Sequence, residues 1–125
     1  NKLVIATNIN DILSRSINSG IYKPLKVQQT ISPSMDIQVA SNFERLIFDI
    51  FDFDSFKTLN LMNNLKESGQ FKISNEDLKK IKKIFSSESL SDKETKSVIN
   101  EIYKNQNKLI DPHTAVGIGV AKKYL

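Results

Sequence analysis

Three serines in the middle of this chain, Ser41, Ser74 and Ser91, each stand three positions before an acidic residue. In a capping box, the serine oxygen accepts the third amide of a helix while the acidic side chain returns to the serine amide. Apolar residues spaced three and four positions apart follow each serine, as on the buried face of a helix. The pattern therefore predicts a helical block over about residues 41–106, with helices capped by these serines.

A fourth helix is predicted between the first two, with Asp54 as its cap and Gly69 at its end. Leu61 lies off its apolar stripe. The predicted core faces of the four helices are Phe43, Leu46, Ile47, Ile50 and Phe51; Phe56, Leu59, Met62 and Leu65; Leu78, Ile81, Ile84 and Phe85; and Val98, Ile99, Ile102 and Tyr103. Such stripes are typical of a protein core and not of a cofactor site.

Strands are predicted on both sides of the helical block. The apolar, β-branched run at 2–7 suits a buried strand of a parallel sheet, and the segments 24–31 and 108–110 are further extended candidates. A helix closed by Gly20 follows the first strand, and another follows residue 111. The fold class is thus α/β with few strands and a large helical block, and we expect the outer strands to pair with further chain.

Composition narrows the possible functions. The 125 residues carry 18 basic and 14 acidic side chains, one histidine and no cysteine. Disulfides and thiolate metal sites are excluded, and no metal site is predicted. The lysines are spread along helices, which indicates a solvated face and no nucleic-acid partner. We see no membrane-spanning run and no signal peptide, so no membrane partner is expected and the expected location is cytoplasmic.

Polar turns follow three of the predicted strands, at Asn8–Asp11, Ser32–Asp36 and Asp111–Gly117. In open α/β sheets, ligands bind outside the carboxyl ends of the strands. A threonine at a helix N-terminus, such as Thr114, can donate or accept a hydrogen bond without imposing a charge. The alternative is that Thr114 is a plain helix cap, His113 a surface residue, and Asn8 and Asn10 turn formers. Spacing alone leaves both interpretations open.

Three strings carry a family resemblance: LVIATNIND, SPSMDIQVASNFERLIFDIF and DPHTAVGIGVA. In this order they resemble the C-terminal part of threonine synthase, a pyridoxal-phosphate enzyme. The resemblance extends over residues 1–125 and is weakest in about 52–107. It implies a fragment of a fold type II pyridoxal-phosphate enzyme, the tryptophan-synthase-β type.

The resemblance also implies an activity for the complete protein. The family converts O-phospho-L-homoserine and water to L-threonine and phosphate in threonine biosynthesis, as a carbon–oxygen lyase acting on phosphate. Its cofactor, pyridoxal phosphate, is the electron sink. The lysine that forms the Schiff base and the glycine-rich phosphate loop lie upstream in the family. No residue of this chain is therefore expected to be catalytic, and we expect the chain alone to be inactive, with the rest of the same polypeptide as its partner.

The resemblance implies site residues as well. Thr114 matches the Ser or Thr that bonds the pyridine nitrogen of the cofactor, and a neutral hydroxyl there leaves the ring closer to neutral. Asn8 and Asn10 are expected beside the cofactor. Residues expected to line the substrate site are Asp11, Ser32, Ser34 and His113, although His113 could instead pack outside the site.

Two alternative functions follow from the same sequence. The first is a threonine-synthase-like phospho-lyase of the same fold, which the residues that grip the substrate phosphate would distinguish. The second is a small basic helical module that binds nucleic acid or a partner helix. That module requires a clustered cationic face and salt-dependent binding.

Overall fold

The protein, described by a computed structural model over residues 2–124, has the α/β composition expected from its sequence. Asn1 and Leu125, the two ends of the predicted domain range, lie outside the described residues. The strands are β1 (Leu3–Thr7), β2 (Ile21–Tyr22), β3 (Phe71–Lys72) and β4 (Phe85–Ser89). The helices are α1 (Ile12–Ser19), α2 (Phe43–Ile50), α3 (Ser55–Ser68), α4 (Asn75–Ile84), α5 (Asp92–Gln106) and α6 (Pro112–Lys122), with a 3-10 turn at Pro33–Met35.

The main sheet pairs β1 with β4 in parallel, in a register that runs from Leu3 opposite Phe85 to Thr7 opposite Ser89. The prediction that the first apolar run belongs to a parallel sheet is confirmed. The second sheet is the short antiparallel pair of β2 and β3. Sequence analysis missed β4, because FSSES has one apolar residue and forms a strand through its pairing with β1.

Two predicted strands are wrong. Residues 24–31 and 108–110 form no strand in the structure. The first of these segments runs without a β partner, because side chains, and not a neighbouring strand, bind its backbone. The second is the short link between α5 and α6.

Most helix ends lie where the sequence predicts them. Ser74 and Ser91 cap α4 and α5, and Ser91 forms the complete capping box with Glu94. The Asp54 side chain accepts the Lys57 amide at the start of α3. Gly20 and Gly69 end α1 and α3 with left-handed φ angles of 78° and 73°, which glycine adopts without strain.

Ser41 is the exception among the predicted caps. Helix α2 begins at Phe43 and follows Asn42, which already has helical backbone angles and makes no side-chain cap bond. The Phe43 amide bonds the carbonyl of Ala40, so a backbone turn takes the place of the cap. The prediction that Ser41 caps this helix is therefore wrong.

The apolar faces form two core clusters. The larger is built around Ile12, Ile47 and Ile81, and the smaller joins α5 to α6 through Val98, Ile102, Ala115, Val116 and Val120. The predicted faces of α2, α4 and α5 lie in or pack against these clusters, except that Ile84 and Tyr103 are exposed. Phe85, which the sequence places on the face of α4, is the first residue of β4. The predicted face of α3 is wrong in part, because Phe56 and Leu59 are 79% and 55% exposed. Met62 and Leu65 pack against the core as predicted, together with Leu61, which the prediction left off the stripe.

No helix within residues 2–124 is long and apolar enough to cross a membrane.

Helix α6 packs on β1 and against α5. Its Gly119 has no room for a side chain, since an added Cβ would lie 2.6 Å from a methyl group of Leu90. This close packing holds the second half of α6 against Leu90, the residue that follows β4, and against α5.

Candidate functional site

Asn8, at the carboxyl end of β1, joins two of the predicted polar turns. It is buried, and its Nδ2 lies 2.7 Å from Asp36 Oδ1, 2.8 Å from Thr30 Oγ1 and 3.0 Å from Ser32 Oγ. Its Oδ1 accepts the backbone amide of Asn10 at 2.8 Å. The turn after β1 and the turn at 32–36 are therefore in direct contact.

Asn10 binds the backbone of the neighbouring segment as a strand would. Its Nδ2 donates to the Gln28 carbonyl at 2.8 Å, and its Oδ1 accepts the Gln28 amide at 2.8 Å. Nδ2 also lies 3.0 Å from Asp36 Oδ1. The Nδ2 groups of Asn8 and Asn10 and the Oδ1 of Asn10 thus hold residues 23–40, which we call the strap, to the end of β1.

Asp36 is the charged centre of this network. Burial opposes ionisation of its carboxyl, but hydrogen bonds from the Thr30 side chain and amide, and from Asn8 and Asn10, outweigh it and lower the pKa of Asp36. Thr30 donates to Asp36 from both its hydroxyl, at 2.6 Å, and its amide, at 2.9 Å. Sequence analysis named Asp36 only as the end of a polar turn and did not identify Thr30, because each bond depends on contacts that form only in the fold.

Asp11 lies apart from this network. Its carboxylate contacts Nε of Arg15 at 2.7 Å, and Arg15 also bonds the Lys23 carbonyl and Gln38 Oε1, each at 3.0 Å. Gln38, which is buried, accepts the Leu25 amide. The structure therefore gives Asp11 a role in fixing the far end of the strap through Arg15.

Asp111 caps α6. Its Oδ1 accepts the amides of His113 at 2.9 Å and Thr114 at 3.2 Å, while the Thr114 hydroxyl donates to Oδ2. Thr114, in the first turn of the helix, is not the cap, so the interpretation of it as a plain cap is wrong. The hydrogen bond from Thr114 is the main reason that the pKa of Asp111 falls to about 2. The Asp-Pro pair directly before a helix was the signal for this cap.

The direction in which the Thr114 hydroxyl donates its hydrogen bond is fixed. An ionised carboxylate only accepts hydrogen bonds, so the single hydroxyl proton points to Asp111. The oxygen then presents only lone pairs to any other group. Of the two roles that the sequence allows for Thr114, this arrangement leaves the acceptor role.

His113 connects α6 to the turn at 32–36. Its Nε2 accepts the Ser34 amide at 3.2 Å, and its Nδ1 lies 3.1 Å from Asp111 Oδ1. Because Nε2 accepts, the proton of the neutral ring is on Nδ1 and points to Asp111. All three predicted turns therefore meet, through Asn8 and Ser32 on one side and through His113 and Ser34 on the other.

A cavity of about 150 Å³ lies where β1 ends. It is lined by the last two residues of β1, by Asn10, by the start of α1, and by Ser34, Met35 and Ile37 of the strap. Ser34 is exposed and reaches this cavity, whereas Ser32 is buried in the Asn8 network. Thr114 is not among the residues that line it.

Thr7 is the polar residue of this wall that sequence analysis missed. It is 7% exposed, and its hydroxyl is the only buried side-chain polar atom without a hydrogen-bond partner in residues 2–124. Its position as the last, polar residue of an apolar run was the signal in the sequence that could have identified it.

Across residues 2–124, no group of three His, Asp or Glu side chains could hold a metal ion.

Comparison with known proteins gives consistent matches. No protein-family model matches the chain. Threonine synthase of Pseudomonas aeruginosa is 38% identical over 122 residues, which cover 98% of this chain and 26% of that protein. Threonine synthase of Saccharomyces cerevisiae is 38% identical over 138 residues, covering 99% of this chain and 27% of that protein. The chain thus spans about a quarter of the length of the curated relatives that it matches.

A solved structure matches equally well. The crystal structure of pyridoxal-phosphate-bound threonine synthase from Brucella melitensis superposes with a TM-score of 0.96 and 45% sequence identity. The match covers 99% of this chain and 27% of that one. Both the sequence and the α/β arrangement of strands and helices therefore match one continuous part of this larger fold.

Proposed function

Because the chain is homologous, along almost its whole length, to about a quarter of threonine synthase, we propose that it is the C-terminal part of such an enzyme. The complete protein would convert O-phospho-L-homoserine and water to L-threonine and phosphate, with pyridoxal phosphate as cofactor. The observation that carries this proposal is the close superposition on a pyridoxal-phosphate-bound threonine synthase. A cytoplasmic location is part of the proposal, and cell fractionation would test it.

One polar group of the chain, the Thr114 hydroxyl, would suit the ring nitrogen of the cofactor. Pyridoxal phosphate supplies the electron sink for chemistry at the substrate carbons. Its ring nitrogen needs a hydrogen-bonding partner, and Thr114 offers an exposed hydroxyl whose lone pairs are free. The chain has four glycines and no glycine-rich loop, so we assign the phosphate loop to the rest of the polypeptide. We assign the Schiff-base lysine to the rest of the polypeptide because the family resemblance implies it.

The residues at the end of β1 would act by position. Asn8 and Asn10 hold the strap against β1, and we propose that they shape the wall beside the cofactor. Through the bond from Ser34, His113 keeps the cavity wall in register with the first turn of α6. We propose that Ser34 lines the substrate site, that Ser32 supports it from within the Asn8 network, and that Asp11 acts through Arg15.

Activity of the full-length protein tests this function. We expect purified protein with pyridoxal phosphate to release phosphate from O-phospho-L-homoserine and to form L-threonine in equal amount. Phosphate release without threonine would indicate the related phospho-lyase, and no turnover would contradict both. The 125-residue chain alone is expected to be inactive, since the resemblance places the reactive lysine elsewhere.

Substitutions of Thr114 test the proposed cofactor contact. Thr114→Ser keeps the oxygen and should keep most cofactor affinity. Thr114→Val removes the oxygen at nearly constant volume and should lower affinity or turnover by about 10- to 100-fold. Thr58→Val is the control, because its hydroxyl bonds only the Asp54 carbonyl of its own helix. A Thr114→Val protein with wild-type cofactor absorbance and turnover would contradict the contact.

A further inference from the structure

The unpaired hydroxyl of Thr7 stands out against the polar groups around it. Other buried polar side chains near this end of the sheet have partners: Asn8 and Asn10 bond within the strap network, and Ser87 bonds the Ser14 carbonyl. A buried hydroxyl without a partner destabilises the fold, and native proteins retain few of them. Thr7 therefore calls for an explanation other than packing.

The position of Thr7 supplies that explanation. It ends a parallel strand, where open α/β sheets bind ligands, and it lines the cavity of about 150 Å³. Because the hydroxyl makes no hydrogen bond, a turn about χ1 to another staggered position breaks none. Thr7 can thus present its hydroxyl to a group in the cavity without loss of an existing hydrogen bond.

The cavity suits part of a small ligand. Its volume is below the 300–1,000 Å³ or so of pockets that enclose drug-sized ligands. Its wall combines apolar groups of Ile12, Leu13 and Met35 with Asn10 and Ser34. Thr114, the proposed cofactor contact, is not part of this wall, although His113 next to it binds Ser34.

We propose that Thr7 is a substrate-binding residue, whose hydroxyl pairs with a polar atom of the amino-acid substrate in this cavity. The assignment rests on the proposed function, which supplies O-phospho-L-homoserine as that substrate. The apolar wall would hold the carbon chain of the substrate, and Thr7 would bind one polar end of it. In this role Thr7 binds and orients the substrate, and it takes no part in proton transfer.

The test compares Thr7→Val and Thr7→Ser in the full-length enzyme loaded with pyridoxal phosphate. Thr7→Val should raise KM for O-phospho-L-homoserine by about 3- to 10-fold and leave the Kd of the cofactor unchanged. Thr7→Ser keeps the hydroxyl and should restore KM. The melting temperature of the ligand-free Thr7→Val protein should be unchanged or higher, because valine replaces an unpaired hydroxyl with a methyl group.

The control is Thr95→Val, which removes a buried hydroxyl that does have a partner, the Ser91 carbonyl. It should lower the melting temperature and leave KM unchanged. An unchanged KM in Thr7→Val would overturn the assignment of Thr7 to the substrate. Weaker binding of the cofactor with an unchanged KM would overturn it as well. A wild-type enzyme that does not turn over O-phospho-L-homoserine would overturn the proposed function, and with it this assignment.

Discussion

The Thr114 hydroxyl donates its proton to Asp111 Oδ2, on the residue that caps the same helix. The other carboxylate oxygen, Oδ1, accepts the amides of His113 and Thr114. The cap thereby sets the direction of the hydroxyl. A group that binds to Thr114 in this arrangement must bring its own proton.

This relationship predicts the state of the proposed cofactor ring. If Thr114 contacts the pyridine nitrogen, that nitrogen should be protonated in the wild-type enzyme, which differs from the near-neutral ring that the resemblance implies. Asp111→Asn keeps an oxygen for the two amides and places an NH₂ group against the Thr114 hydroxyl. The hydroxyl must then donate outward, so the nitrogen should lose its proton.

Nitrogen NMR of the enzyme loaded with ¹⁵N-labelled cofactor measures this state directly. Asp54→Asn is the matched control, because Asp54 caps α3 through the same kind of bond to a backbone amide. The control should leave the nitrogen signal where it is in the wild type. An unprotonated nitrogen in the wild-type enzyme would contradict the prediction, whatever Asp111→Asn does.

His113 should determine how firmly the turn at 32–36 is held. His113→Phe removes the acceptor of the Ser34 amide, so that amide should exchange with solvent about 2- to 10-fold faster. His113→Gln retains an acceptor group and should show a smaller change. Hydrogen exchange followed by mass spectrometry measures both variants, and equal exchange in His113→Phe and the wild type would show that the bond contributes nothing.

Asp36 should make the stability of the strap depend on pH. Its folded pKa is lowered below the ordinary value of 3.8, so the unfolded chain takes up a proton first as the pH falls. The stabilisation is complete at neutral pH and is lost as the pH falls from about 5 through the folded pKa. Asp36→Asn should lower the free energy of unfolding by about 2–3 kcal/mol at pH 7, because the hydrogen bonds that the charged carboxylate accepts are lost or replaced by bonds to a neutral amide.

Thermal unfolding of the full-length protein at pH 7 and at pH 3.5 measures this effect. The difference in melting temperature between wild type and Asp36→Asn should be large at pH 7 and should narrow at pH 3.5. Asp49→Asn, at an exposed position on α2, should match the wild type at both values. A difference that stays constant with pH would mean that the charge of Asp36 is not the cause.

Ser91 and Ser41 were both predicted to cap helices, but only Ser91 does so, and the two therefore provide a matched pair of variants. Ser91→Ala removes a complete capping box and should cost about 1 kcal/mol in the free energy of unfolding. Ser41→Ala should change it by less than about 0.5 kcal/mol, because Ser41 does not cap α2. Denaturant unfolding measures both, and equal losses would contradict the assigned start of α2.

The sequence by itself determined the features that depend on neighbouring residues. Asp54, Ser74 and Ser91 cap helices, and Gly20 and Gly69 end them, because each interaction spans only a few positions. The 3-4 spacing of apolar residues was sufficient to place the part of the core that α2, α4 and α5 contribute, such as Ile47, Ile81 and Val98. Specific strings such as SPSMDI and DPHTAVG were also sufficient to indicate the family that the comparisons support.

Tertiary structure alone decided the features that depend on distant contacts. FSSES is a strand because β1 pairs with it, and residues 24–31 are not, because Asn10, Arg15 and Gln38 bind the backbone of the strap. On α3, Met62 and Leu65 pack as the sequence predicts, but Leu61 joins them in place of Phe56 and Leu59, since only packing selects among the apolar residues of that helix. The unpaired hydroxyl of Thr7 is likewise visible only in the fold, because burial and the lack of a partner depend on every element around it.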